Sequence, residues 1–192
     1  MFKIDAALRD AEVGNYASAK KGVKSALAFS SGRDIEIVAA LVLARSGDTA
    51  GAKALVEELQ RKYPTNSFLK LYWVPTIKAA VELKRGNPSQ ALASLAQATP
   101  YEMGQAGLFV NSIYPAYVRG QVYLKMHNGT AALAEFQKML DHRFHSELRS
   151  EWHVLCSRPV KKLKVKVLSQ TICAYPRART YARGAIPAVI KG

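Results

Sequence analysis

Along the first 142 residues, small and large apolar side chains return at fixed offsets instead of gathering in long runs. Between residues 33 and 66, Ala40 and Leu43 precede Gly47, Ala52 and Val56 follow it, Leu59 comes a turn later, and Pro64 closes the stretch. Counting from Tyr72 returns the same order in Ala79, Gly86, Ala91, Leu95 and Ala98, ended by Pro100. Counting from Ile113 returns Gly120, Tyr123, Ala132 and Phe136, with His127 where the turn glycine would stand. Gly14, Ala19, Val23 and Ala26 supply a partial first copy. Three- and four-residue steps on either side of a glycine predict pairs of amphipathic helices joined by a tight turn.

Each residue type has a physical reason at its offset. Small residues at positions 8 and 20 of a unit let its two helices approach, and large ones at 11 and 24 fill the space toward the next pair. Glycine ends the first helix with a left-handed residue, and proline stops the second. This is the pattern of the tetratricopeptide repeat, whose period is about 34 residues. The expected fold is therefore all-α, an antiparallel helix-pair, tetratricopeptide-like right-handed solenoid over residues 1–142, with about four pairs and the first one partial. Turn positions are 33, 39 and 41 residues apart along the chain, which predicts inserted linker after Pro64 and again around 100–112.

A narrower likeness is carried by the Tyr72–Ile77 run YWVPTI, by Pro100-Tyr101-Glu102, by Tyr114-Pro115-Ala116-Tyr117 and by Phe136-Gln137-Lys138. Over roughly residues 30–142 the chain resembles the tetratricopeptide-like C-terminal region of bacterial, acidobacterial-type eukaryotic-like serine/threonine protein kinases. Such a resemblance implies a helical module that binds protein or peptide and belongs beside a separate catalytic domain. The chain departs from those enzymes where it matters most. It carries no glycine-rich phosphate loop, no Val-Ala-x-Lys strand and no Asp-Phe-Gly, and His142-Arg143-Phe144 has Phe where a catalytic Asp would stand. Kinase activity does not carry over, and no enzyme is expected.

The formal charge of +14 changes the picture only after it is divided. Up to residue 142 there are 17 Lys and Arg against 12 Asp and Glu; beyond it there are 11 against 2. Alanine thins out there as well, where the family pattern would continue with another repeat. Two readings of 143–192 stand: an irregular basic C-terminal tail in its own right, or out-of-frame translation of a lost repeat. The segment PVKKLKVKVL, together with the Lys and Arg from 158 to 183 and Tyr175 and Tyr181, makes nucleic-acid or anionic-surface binding the alternative function. No nucleic-acid fold accompanies it, so nucleic acid ranks behind a protein partner.

Other chemistry finds little support. Cys156 and Cys173 form no CxxC pair and fit a reducing compartment. His142-x2-His145 and His153-x2-Cys156 have zinc-type ligands but no turn chemistry to converge them, so neither metal nor cofactor is expected. The most apolar window, residues 35–44, is far short of the roughly 20 residues a membrane span needs. With no leader-like run after Met1, the reading is a cytoplasmic protein.

What remains is the concave face of the repeat, lined by positions 2, 5, 9 and 13 of each first helix. The candidate peptide-binding residues there are Arg45, Trp73, Thr76, Lys84, Tyr114, Tyr117, Gln121 and Lys125. Position 13 is basic in the last three units, as Arg45, Lys84 and Lys125, and a row of cations beside aromatic rings suits an acidic segment or a peptide carboxylate. The expected function is a non-catalytic protein- or peptide-binding scaffold. A partial first unit and an uncapped last one would leave an apolar end exposed, which predicts a homodimer or poor solubility.

Overall fold

The computed structural model describes residues 2–102 and 113–141, all of which fall in one compact unit. The second predicted insertion, in part, and the whole basic segment 143–192 lie outside them, with its zinc-type His and Cys pairs. Among the described residues there is no strand. Eight α-helices follow one another: α1 (Phe2–Val13), α2 (Tyr16–Phe29), α3 (Arg33–Arg45), α4 (Thr49–Lys62), α5 (Val74–Arg85), α6 (Pro88–Ala96), α7 (Tyr114–Lys125) and α8 (Gly129–Asp141). They pair as four hairpins, α1 with α2 through α7 with α8. The first helices lie side by side, α1 on α3, α3 on α5 and α5 on α7, and each second helix packs on the first helix of the next hairpin.

The four hairpins turn in the same way. Gly14, Gly47, Gly86 and His127 have φ of +90°, +82°, +84° and +58°, so the predicted turn position is left-handed each time, including the one occupied by histidine. The next residue's amide bonds back to the carbonyl five residues earlier at 2.8–2.9 Å: Asn15 to Asp10, Asp48 to Leu43, Asn87 to Glu82, Asn128 to Tyr123. The turn residue's own amide reaches the carbonyl three residues earlier, completing a Schellman motif that satisfies the last carbonyls of the first helix. An Asn or Asp then opens the second helix. Asp48 accepts from the Gly51 amide at 3.0 Å and Asn128 from the Ala131 amide at 3.1 Å.

The small and large offsets become contacts. Ala19, Ala52, Ala91 and Ala132, the position-20 residues, are all fully buried, and Val23, Val56, Leu95 and Phe136 at position 24 are buried with them. In the last hairpin the fit is tightest. A methyl group built on Gly120 would meet the Phe136 ring at 2.5 Å, so glycine there is the condition for α7 and α8 to close.

The insertion after Pro64 is a helical lead-in to α5. Asn66 Oδ1 caps the Leu69 amide at 2.8 Å, and Leu69–Trp73 forms a π-helical turn in which the Val74 amide bonds to the Leu69 carbonyl. Pro75 explains the widening. It has no N–H for the carbonyl four residues back, and its ring would press on it. Thr76 Oγ1 turns to the Tyr72 carbonyl at 2.6 Å, and Phe68, Tyr72 and Trp73 pack as one aromatic cluster with centroids 4.6–6.5 Å apart.

Candidate functional site

Side chains from the last turns of α1 and α3 meet those of the first turn of α7 in the interior. At the centre is Glu12, from the last turn of α1, which is 2% exposed. Arg45, from the last turn of α3, grips it with two hydrogen bonds, Nε to Oε1 at 2.8 Å and Nη2 to Oε2 at 2.6 Å. Tyr114 and Tyr117 reach over from α7, the first donating its hydroxyl to Oε1 and the second to Oε2 at 2.7 Å. Arg45 Nη1 also donates to Gln121 Oε1, and its guanidinium lies 5.5 Å from the Tyr117 ring centroid. One carboxylate thus ties together helices more than 100 residues apart in sequence.

Burial is the largest influence on Glu12 and alone would raise its pKa. The Arg45 charge and the hydrogen bonds from Arg45, Tyr114 and Tyr117 outweigh it and hold the carboxyl below its ordinary range. Burial likewise works against the Arg45 cation, and Glu12 reverses it, so Arg45 stays charged. Every lone pair of the carboxylate facing the interior is used, which makes the cluster a satisfied buried network.

Of the eight residues expected to line an open groove, the structure brings Arg45, Tyr114, Tyr117 and Gln121 into this one cluster. Arg45, Tyr114 and Tyr117 are nonetheless buried, and so are Trp73 and Thr76, at 1% and 0% exposure. These five are packed interior: Tyr114 and Tyr117 close over Glu12 and Arg45, Trp73 packs with Phe68 and Tyr72, and Thr76 bonds back to the Tyr72 carbonyl. Lys84 and Lys125 are exposed at the rim, where Lys84 Nζ donates to the Tyr16 hydroxyl at 2.7 Å and lies 4.2 Å from its ring centroid. Glu12 was not among the candidates. It occupies position 13 of the partial first unit, and as the one acid in a row otherwise Arg45, Lys84 and Lys125 it carried a signal that only extending the register to the N-terminus exposes.

A groove of about 570 Å³ runs between α4 and α6 over α5, with Val56, Ile77 and Val81 in its floor and Lys53, Glu57, Lys78, Glu82 and Ser94 among its walls. At the next junction the corresponding space is filled by the chain itself. The short helix α6 gives way to a 3-10 turn, Thr99–Tyr101, and Glu102 is tucked in with no exposure. Arg119 of α7 donates Nη2 to Glu102 Oε1 and to Thr99 Oγ1 at 3.0 Å, and Nη1 to Glu135 at 2.9 Å; Lys138 adds an ion pair to Glu102.

Among the described residues no three His, Cys, Asp or Glu side chains group as a metal site. No helix among them is long and apolar enough to cross a membrane. No protein-family model, curated protein or solved structure matches this chain.

Proposed function

We propose that the chain is a non-catalytic scaffold that binds protein or peptide through stacked helical hairpins of the tetratricopeptide type, arranged as a right-handed solenoid. The observation that carries the reading is the fourfold turn: a left-handed residue at 14, 47, 86 and 127, each with the same pair of backbone hydrogen bonds. A unit repeated with that fidelity presents a series of equivalent surfaces, which is how hairpin arrays recognise extended chains. Kinship with the interaction region of eukaryotic-like kinases rests on the Tyr72–Ile77 and Tyr114–Tyr117 runs.

Panning a random peptide library on the full chain tests the reading, with a random single-stranded oligonucleotide titrated in parallel at two salt concentrations. Selection of peptides that bind at micromolar concentration supports the scaffold. Failure to select any peptide, with oligonucleotide binding that falls steeply as salt rises, transfers the function to the basic segment 143–192.

A further inference from the structure

The third and fourth hairpins present the same site in two states. In the fourth, the cation at position 7 is Arg119, and it holds Glu102 of the incoming linker together with Thr99 at position 28 of the preceding unit and Glu135 at position 23. The same register positions around the third hairpin are Lys78, Gln60 and Ser94, and all three line the 570 Å³ groove. The linker that would fill it has gone elsewhere. Helix α4 runs 14 residues, to Lys62, whereas α6 stops after 9, so the chain leaving α4 does not fold back over α5 as residues 99–102 fold back over α7. Among the described residues, neither Lys78 nor Lys53 has an ion pair or hydrogen bond, and Lys78 is exposed.

We infer that the groove between α4, α5 and α6 is a docking site for an extended peptide segment bearing an acidic side chain, with Lys78 as the residue that receives its carboxylate. Gln60 already stands where Thr99 stands in the filled site, so what the groove lacks is the counterpart of Glu102: a carboxylate for Lys78, carried on a segment whose apolar part covers Val56, Ile77 and Val81. Two acids share the lining, Glu57 and Glu82; Glu82 is held by Arg85 and Asn87, so Lys53 and Lys78 against Glu57 leave a net positive charge among the unpaired side chains, which favours an acidic occupant over a basic one. The inference deepens the peptide-binding reading above and rests on it; it assigns the surface and the chemistry of the partner.

The test uses the full chain and a fluorescein-labelled, C-terminally amidated peptide of sequence ATPYEMGQ, the chain's own residues 98–105, read by fluorescence anisotropy. The expected dissociation constant is on the order of 100 μM, as suits one short segment. Replacing the peptide's Glu by Gln, or Lys78→Glu in the protein, weakens binding at least tenfold, while Lys24→Glu, exposed on α2 and outside the groove, leaves it unchanged. Lys78 is a surface position, so Lys78→Glu keeps the helical circular dichroism of the parent. Binding indifferent to Lys78→Glu and to the peptide's Glu overturns the inference. If peptides selected from the library bind but none depends on Lys78, the docking site is refuted and the scaffold reading stands; if no peptide binds at all, both fall.

Discussion

Replacing Glu12 by Gln tests the inner-face cluster with the least change of shape. Gln keeps one carbonyl oxygen for Arg45 or a tyrosine, but it removes the charge and the second acceptor. Arg45, with a side chain 7% exposed, then becomes a buried cation without a counter-ion, and one tyrosine hydroxyl loses its acceptor. Breaking one partner of a buried pair costs about 3–5 kcal/mol, and the residual amide bonds place this change at the lower end, about 3 kcal/mol. For a chain of this size that lowers the melting temperature by about 6–12 °C. The pH dependence distinguishes charge from packing. Because the folded pKa of Glu12 lies below its ordinary value, its contribution is fully present above about pH 4.3 and fades as pH falls through the folded value. Urea denaturation followed by circular dichroism at stepped pH reads both quantities. The difference between parent and variant should be level from pH 8 to about pH 5 and shrink below that. Adding Arg45→Met to Glu12→Gln removes the stranded cation and should restore part of the loss. A variant as stable as the parent at pH 7, or a loss that does not change with pH, refutes the account of the cluster as a charge-satisfied tie.

Three further outcomes follow from the geometry. Gly120→Ala gains helix propensity but drives a methyl group into Phe136, so it should destabilise by about 1–3 kcal/mol in urea melts, and Phe136→Leu should reverse most of it. Gly47→Ala and Gly86→Ala force alanine into left-handed backbone at a cost of about 1–2 kcal/mol each, whereas His127→Gly should stabilise by about 1 kcal/mol; chemical denaturation measures all three. Arg119→Met leaves Glu102 buried against Lys138 alone, and should cost about 3 kcal/mol and speed proteolysis near residues 99–102, read by limited digestion and mass spectrometry.

The hairpins were legible because their signals are local. Turn residues, buried alanines and the Gly120–Phe136 contact all follow from a register that can be counted along the chain, and even His127 in the glycine position takes the left-handed conformation the register demands. The π turn was not legible as such: Pro64 and Pro75 announce a break, but whether the chain there loops or winds wide depends on Asn66 and Thr76 satisfying the backbone. The state of the inner face was hidden for a different reason. Register assigns Tyr114 and Tyr117 to that face, yet whether a face is an open groove or closed depends on what stands opposite, and the partner, Glu12, is over 100 residues away. Lys78 and Arg119 share a register position as well, but which of them finds a carboxylate is decided by where α4 and α6 end.

The bonds from Tyr114 and Tyr117 to Glu12 also bear on how the molecule comes apart. A row of hairpins joined only to their neighbours can fray from either end, since each terminal unit loses a single interface when it melts. Here the first and last described hairpins share a carboxylate, so releasing α1 strands the tyrosines of α7 and the guanidinium of α3 at once. An open array becomes a closed circuit, and cooperativity that a linear stack would lose with length is returned to it through three side chains. Folding pays for this in speed, because contacts of such sequence separation form only after the intervening hairpins are in place.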